Sequence, residues 1–452
     1  MKRRYGRISV ILITVVILNM SALSWAQEDT LSFSIEEAVK AGVENSIILK
    51  LVKNQIDLNE VQEDIADEIG QKLNLADMQI IGGSTKLDSG YSQLQYAIDA
   101  DLLTPEQINE KMKELQKAAN TLNSAKGQLD AAVQEVISTI GRQLGMTSSY
   151  IIDVPSARRL LMDITKKVSE VSQDSYDTYK NQIALQIQKS YYDVLKNQKM
   201  IEVKKKAMER AEKQYNFTKD SYELGMKSKD DMLLAKVYYI GTQLEYEKAQ
   251  SQLNTDLIEL KKNMNIPLDQ KILLTDVLQE EVVDYDLHIG LNHGINNRLE
   301  IKKAMADKEI HDLNVRFINN HYSAFASEYK EAALLRNKAG LNLKQVLLEV
   351  ESSIRQSHEL MKSTGGMLEF SKKMVDDAKE NVEIAELKYQ EGFNIETSLL
   401  KKLDIESTAG TIVEVLAAEE NLAQIEQKQI EIIYGYNLIK MKYLNDIGDY
   451  IY

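Results

Sequence analysis

Five histidines, His288, His293, His311, His321 and His358, are the side chains best suited to bind a metal or carry a proton near neutral pH. None of them falls in a His-x-x-x-His ligand spacing, and with no cysteine in the chain a thiolate zinc site, a cysteine nucleophile and a disulfide framework are excluded. Gly82-Gly-Ser-Thr-Lys86 has the residue types of a phosphate loop without the Gly-x-x-x-x-Gly-Lys-Ser/Thr spacing or a buried strand before it, and reads as a turn. Although 69 residues are acidic, no paired-carboxylate or Ser/His/Asp arrangement emerges from them. The residues therefore point to no enzyme, no cofactor and no metal, and whatever the chain does must come from shape and charge.

The elements that set that shape are helices. Only Pro105, Pro155 and Pro267 occur in 452 residues, so residues 156–266 and 268–452 are free of proline, which argues against turn-rich β architectures and Pro-rich disorder. Hydrophobic residues make up 44% and charged residues 27%, with a mean hydropathy of -0.34, enough to bury apolar seams but not to build a multi-span membrane protein. The formal charge is -14. Setting aside Lys2, Arg3, Arg4 and Arg7 leaves 51 basic against 69 acidic residues, a net of -18, which repels phosphate backbones and excludes nucleic acid as a partner.

The chain opens with that basic cluster, continues in a 13-residue apolar run from Ile8 to Met20, and reaches small residues at Ser24 and Ala26. This is the pattern of a secretory signal peptide over residues 1–26, with cleavage between Ala26 and Gln27. The apolar run is too short to cross a ~30 Å hydrocarbon core as a helix without its polar flanks.

Beyond it, the spacing predicts one helix from Ala157 to Leu224, with Ala184, Ile187, Tyr191, Val194, Ile201 and Met208 on a 3-4 alternation, and a second from Ser228 to Met264. Tyr222-Glu-Leu-Gly225 between them reads as a C-terminal cap with glycine in the left-handed conformation. The C-terminal part repeats the plan. A helix runs through about Lys344 to Glu391, breaks at Gly392, and returns from about Glu396 to Asn445 along a coiled-coil seam of Val415, Ala418, Leu422, Ile425, Gln429, Ile432, Tyr436, Ile439 and Tyr443. Helix should account for well over half of the chain.

The two hairpins are related: Lys206, Ala211, Tyr222 and Gly225 match Lys373, Ala378, Tyr389 and Gly392 at an offset of 167. Upstream, Gly42, Asn45 and Lys50 match Gly294, Asn297 and Lys302 at an offset of 252. The chain reads as an internal duplication, a first repeat over 27–284 and a second over 285–452. The difference, 252 minus 167, places about 85 additional residues in the first repeat, between about Asn74 and Pro155. In that insertion Ile81 to Gly90 reads as a turn, and Thr104-Pro105-Glu106 starts a helix reaching about Leu144. Pro155 and the stretch from Ile266 to Asp286 read as linkers. No alternating run long enough for a membrane strand appears in the insertion or between Tyr322 and Leu341.

With its duplicated Gly-x-x-Asn anchors and Tyr-x-x-Gly hairpin breaks, the sequence resembles the TolC-type outer membrane efflux protein family. The resemblance covers roughly Leu31 to Gly70 and Ala157 to Ile447. It implies an all-α trunk of long antiparallel coiled-coil hairpins, packed as a homotrimer into a helical tunnel that acts with a periplasmic adaptor (membrane fusion) protein and an inner-membrane transporter. It implies export to the cell envelope, at the outer membrane or its periplasmic face, with membrane association. By position, Tyr222, Gly225, Tyr389 and Gly392 correspond to the distal tips, where an adaptor is met, and Glu223, Asp230, Asp231, Glu391 and Glu396 to acids lining the constriction there. Those acids also suit the plain role of capping helix ends. The family's membrane strands are replaced by a mostly helical insertion in the first repeat and are missing from the second, so this chain builds a trunk without closing a barrel.

The function expected is a passive conduit for export across the envelope. The alternative is a structural or adhesive coiled-coil protein of the envelope, which would not need a duplicated hairpin. Trp25 is the only tryptophan, so correctly exported protein cut after Ala26 should show no indole emission, and persistent tryptophan fluorescence would overturn that cleavage site.

Overall fold

The computed structural model describes residues 30–147, 152–391 and 410–450. Ala26, Gln27, Gly392 and Glu396 lie outside the described residues. The described elements run β1 (Leu31–Phe33), α1 (Ile35–Asn45), α2 (Ile47–Asp99), α3 (Pro105–Gln143), α4 (Val154–Glu223), α5 (Lys229–Asn263), β2 (Ile272–Leu274), α6 (Leu287–Asn297), α7 (Leu299–Asn319), α8 (Ser327–Glu391) and α9 (Ile412–Asp446). Helix dominates, and the strands are two three-residue segments paired in parallel, Leu31 with Ile272 through Phe33 with Leu274. Among the described residues, no strand of membrane length occurs and no helix is long and apolar enough to cross a membrane.

With 70 residues, α4 reaches roughly 105 Å at 1.5 Å per residue. The accessible surface is 28833 Å², against roughly 17,000 Å² for a compact monomer of this mass. A chain this extended buries its apolar residues in seams between neighbouring helices. The long helices lie in the order α5, α4, α9, α8, with α4 and α9 in the middle. In each half the short helix and its successor pack on the long outgoing helix, α1 and α2 on α4, and α6 and α7 on α8.

The two repeats agree down to single contacts. In the first, Gly42 packs so closely that a Cβ there would stand 2.2 Å from Ile187 Cδ1 and 3.2 Å from Met264 Cα. In the second, a Cβ on Gly294 would stand 2.4 Å from Ile354 Cδ1 and 3.3 Å from Ile447 Cα. These are equivalent residues, since 187 and 354 differ by the hairpin offset of 167 and 42 and 294 by the anchor offset of 252. The anchor glycines thus let the short helix seat against both arms of its hairpin. Asn45 and Asn297 end those helices at equivalent points.

Several elements differ from the sequence reading. Ile81 to Gly90 forms no turn and lies inside α2, where Gly83 and Gly90 come against Leu122 and Leu115 of α3, so interhelical packing outweighs the local glycine signal. The insertion is a hairpin of two long helices, with a groove of about 1070 Å³ between them lined by Leu73, Ile80, Leu115, Leu122 and Leu129. Pro155 is no linker; it occupies the first turn of α4 behind the Asp153 N-cap, where its missing N–H costs no helical bond. Helix α8 starts at Ser327, ahead of Lys344, since Ala332 and Leu335 pack into the cluster formed by α3, α4 and α7. Helix α9 is capped at Ile412 by the Thr411 hydroxyl accepting the Glu414 N–H, and the expected helix start near Glu396 lies outside the described residues.

The α9 seam is legible at both ends, where Val415, Ala418, Leu422, Tyr436 and Tyr443 are buried. In its middle the buried row shifts to Glu426, Ile430 and Ile433, the drift expected of a nearly straight helix against a strict seven-residue repeat. Helix α4 drifts likewise, from Tyr191 and Val194 to Ala207, Ala211, Gln214 and Thr218.

Gly294→Val should lower stability by about 1–3 kcal/mol through overpacking against Ile354 and the α9 C-terminus. The expected readout is a reduced Tm with unchanged helical circular dichroism at low temperature; an unchanged Tm would show that the contact yields freely.

Candidate functional site: the hairpin tip and the charged seam

Two places gather polar side chains that the packing alone does not require: the tip between α4 and α5, and the tip-side part of the seam between α4 and α9.

At the tip, Gly225 has a φ of +76°, a conformation that side chains with a Cβ adopt at a cost. The turn it allows is closed by the Gly225 N–H on Tyr222 O (2.9 Å) and the Met226 N–H on Ser221 O (2.8 Å). Three residues later the Ser228 hydroxyl accepts the Asp231 N–H at 3.1 Å and starts α5, with Asp230 and Asp231 in its first turn, where the helix dipole favours acids.

The tip is tied to the second hairpin by Lys227. Its ammonium donates to the Tyr389 backbone oxygen (2.8 Å) and stands 3.8 Å from the centroid of the Tyr389 ring. The Tyr389 hydroxyl lies 3.4 Å from Asp231 Oδ2, and its ring meets Phe217 edge-on. Burial pushes the Tyr389 phenol up to about 12, with Thr218 opposing and Asp231 adding to the rise.

Of the residues singled out in the sequence, the structure joins Tyr389 to Asp231 and Gly225 to Tyr222. Tyr222 and Tyr389 are equivalent by position but not by environment: Tyr222 is 38% exposed and Tyr389 1%. Glu223, Asp230 and Glu391 are exposed at helix ends. Among the described residues, no group of His, Asp or Glu side chains is arranged to hold a metal ion.

The seam contains residues that the sequence reading missed. Arg210 on α4 donates through Nε to Glu419 Oε2 (2.7 Å) and through Nη2 to Glu426 Oε2 (3.1 Å), both on α9. Glu419 is buried, and its Oε1 has no hydrogen-bond partner among the described residues. Desolvation raises the Glu419 carboxyl above the usual carboxylate range, outweighing the pull of Arg210, and the nearby carboxylates of Glu386 and Glu426 add to the rise. Burial likewise raises the phenol of Tyr238, with the carboxylates of Glu419 and Glu420 adding to the rise. The signal was available: Glu419 and Glu426 stand seven apart beside the seam residue Ala418, a spacing that puts both on the face turned to α4.

Residues 137–265 match the family model described as Outer membrane efflux protein. That stretch is the end of α3 with the whole α4–α5 hairpin, including the Gly225 tip. No curated protein sequence matches the chain. Among solved structures, the outer membrane protein VceC of Vibrio cholerae superposes with a TM-score of 0.54 at 13% identity, over 65% of this chain and 76% of that one. The CmeC outer membrane channel of Campylobacter jejuni superposes with a TM-score of 0.51 at 12% identity, over 86% of each chain. The resemblance to TolC-type efflux proteins therefore rests on a family model and on a shared fold, with long helical hairpins in two repeats and the membrane strands much reduced.

Gly225→Val should strain the tip by about 1 kcal/mol or more, since a β-branched residue is disfavoured at positive φ. Amide exchange at Ser221 to Asp231 should quicken while overall helicity holds; unchanged protection there would mean that the turn accepts the substitution.

Proposed function

We propose that the chain is one protomer of a passive transport conduit of the cell envelope, a homotrimeric ring of helical hairpins that encloses an aqueous path. The observation that carries this reading is the open layer α5, α4, α9, α8. Its two outer helices carry exposed apolar residues, Leu233, Val237, Ile240 and Leu244 on α5, and Leu360, Met367 and Met374 on α8. Exposed apolar rows on both edges of the layer suit head-to-tail closure of identical copies into a ring. The family model and the outer membrane channel fold support the same reading.

On this proposal the protein is exported, with residues 1–26 removed before Gln27, and its repeats span 27–284 and 285–452. It works at the outer membrane or its periplasmic face with a periplasmic adaptor (membrane fusion) protein and an energised inner-membrane transporter, without catalysis of its own. The tip with Tyr222, Gly225, Tyr389 and Gly392 is the adaptor contact, and Glu223, Asp230, Asp231, Glu391 and Glu396 give the constriction its negative charge. With helical sequence in place of barrel strands, passage through the outer membrane itself would require another component.

Light scattering and imaging of the purified mature protein test this directly. Three copies around a central channel are expected, whereas an extended dimer without a lumen would favour a structural coiled-coil protein.

A further inference from the structure

The internal duplication carries information about the interface between copies. Helices α5 and α9 are both 35 residues long, with N-caps Ser228 and Thr411 and C-caps Met264 and Ile447. Both pairs of caps differ by 183, so the helices correspond residue for residue. Helices α4 and α8 correspond by the offset of 167. Every contact in the seam between α4 and α9 therefore has a computed counterpart between α8 and the α5 of a neighbouring copy.

Carrying this seam's ion pair across, Arg210 becomes Asp377 and Glu419 becomes Lys236. The pair is again of opposite charge, with its polarity reversed. Both Asp377 and Lys236 are exposed in the single chain, and neither forms an ion pair among the described residues. One turn away, Ala207 and Ala423 line one groove beside Arg210 and are buried. Their counterparts are Met374 and Ile240, which are 50% and 44% exposed in the single chain. Further along, Leu360 and Met367, with Met374, repeat every seven residues on the α8 face equivalent to the α4 face that meets α9.

We propose that a second copy of this chain docks its α5 against α8 in the register that sets Lys236 on Asp377 and Ile240 on Met374. This inference rests on the ring reading above and adds its register and its charge code. Two independent features agree on it: charges complementary at one computed position, and exposed apolar side chains at the adjoining one. Because the surfaces on α5 and α8 differ, the contact is head-to-tail, the kind that the ring reading repeats from copy to copy. The reversal of polarity also discriminates against misassembly. If α5 of a second copy displaced α9 from α4, Lys236 would face Arg210, and like charges in a buried contact oppose that pairing.

The chain has no cysteine, so introduced thiols report cleanly. In K236C/D377C, mild oxidation should yield covalent oligomers up to the size of the native assembly, whereas Q250C/D377C, about 21 Å out of register along α5, should not crosslink. K236E or D377K alone should weaken association by about tenfold or more, and K236E/D377K together should restore it. Circular dichroism of each variant checks that the helices are intact. If the wild-type protein assembles but K236C/D377C does not crosslink, or the single reversals leave association unchanged, this register is wrong and the ring reading stands. A wild-type protein that remains monomeric overturns both.

Discussion

The two halves of the trunk meet through charge. Toward the tip end of the contact between α4 and α9, a single guanidinium faces two carboxylates. A buried arrangement of this kind contributes little net stability, since desolvating three charges offsets most of what their attraction returns. Its value lies in what it forbids. Sliding α9 along α4 by one turn would leave Glu419 buried without Arg210, and a stranded buried charge costs about 3–5 kcal/mol. The apolar rows on these helices drift and contain small or polar residues, so they resist sliding less than an interlocked carbon seam would. The ion pairs hold the register of the hairpins, and with it the level at which Lys227 reaches Tyr389 at the tip.

The sequence made the long helices legible because they are built from repeated small decisions. Ser228, Thr104 and Asp153 cap, Pro105 and Pro155 sit in first turns, and the glycine of Tyr-x-x-Gly ends α4 in a left-handed φ. The duplication was legible for a related reason: Gly42 and Gly294 admit no side chain, so the two positions hold the same residue in otherwise divergent surroundings. What escaped was decided by contacts between distant segments. Ile81 to Gly90 has turn composition, and only the facing Leu115 and Leu122 reveal it as helix. Arg210 was missed because a lone arginine among many charged residues carries no local mark of burial. Tyr222 and Tyr389 seemed equivalent because the pattern contains no trace of Lys227, which covers one ring and not the other.

The insertion shows how a duplicated frame can be lengthened without disturbing its seams. Helix α2 continues past the point where its counterpart α7 ends, and α3 returns antiparallel to it, so the added residues re-enter α4 close to where they departed. A hairpin satisfies its own backbone groups along its whole length, as a pair of unclosed strands would not. A helical hairpin thus needs no partner to close a sheet.

The pairing of β1 with β2 has a consequence in time. Phe33 and its neighbours find their strand partners 241 residues later, and the Asp276 carboxylate that accepts the Ile35 N–H is equally distant. At about 5–20 residues per second of synthesis, the start of the chain waits roughly ten to fifty seconds before the segment that completes it exists. Helices can form during that delay, because their hydrogen bonds are local. The joining of the two ends of the first repeat cannot. That closure, also spanned by the Tyr191 hydroxyl on Phe33 and Asp276, is therefore among the last events in folding this half, and sets when its short helix can lock against the hairpin.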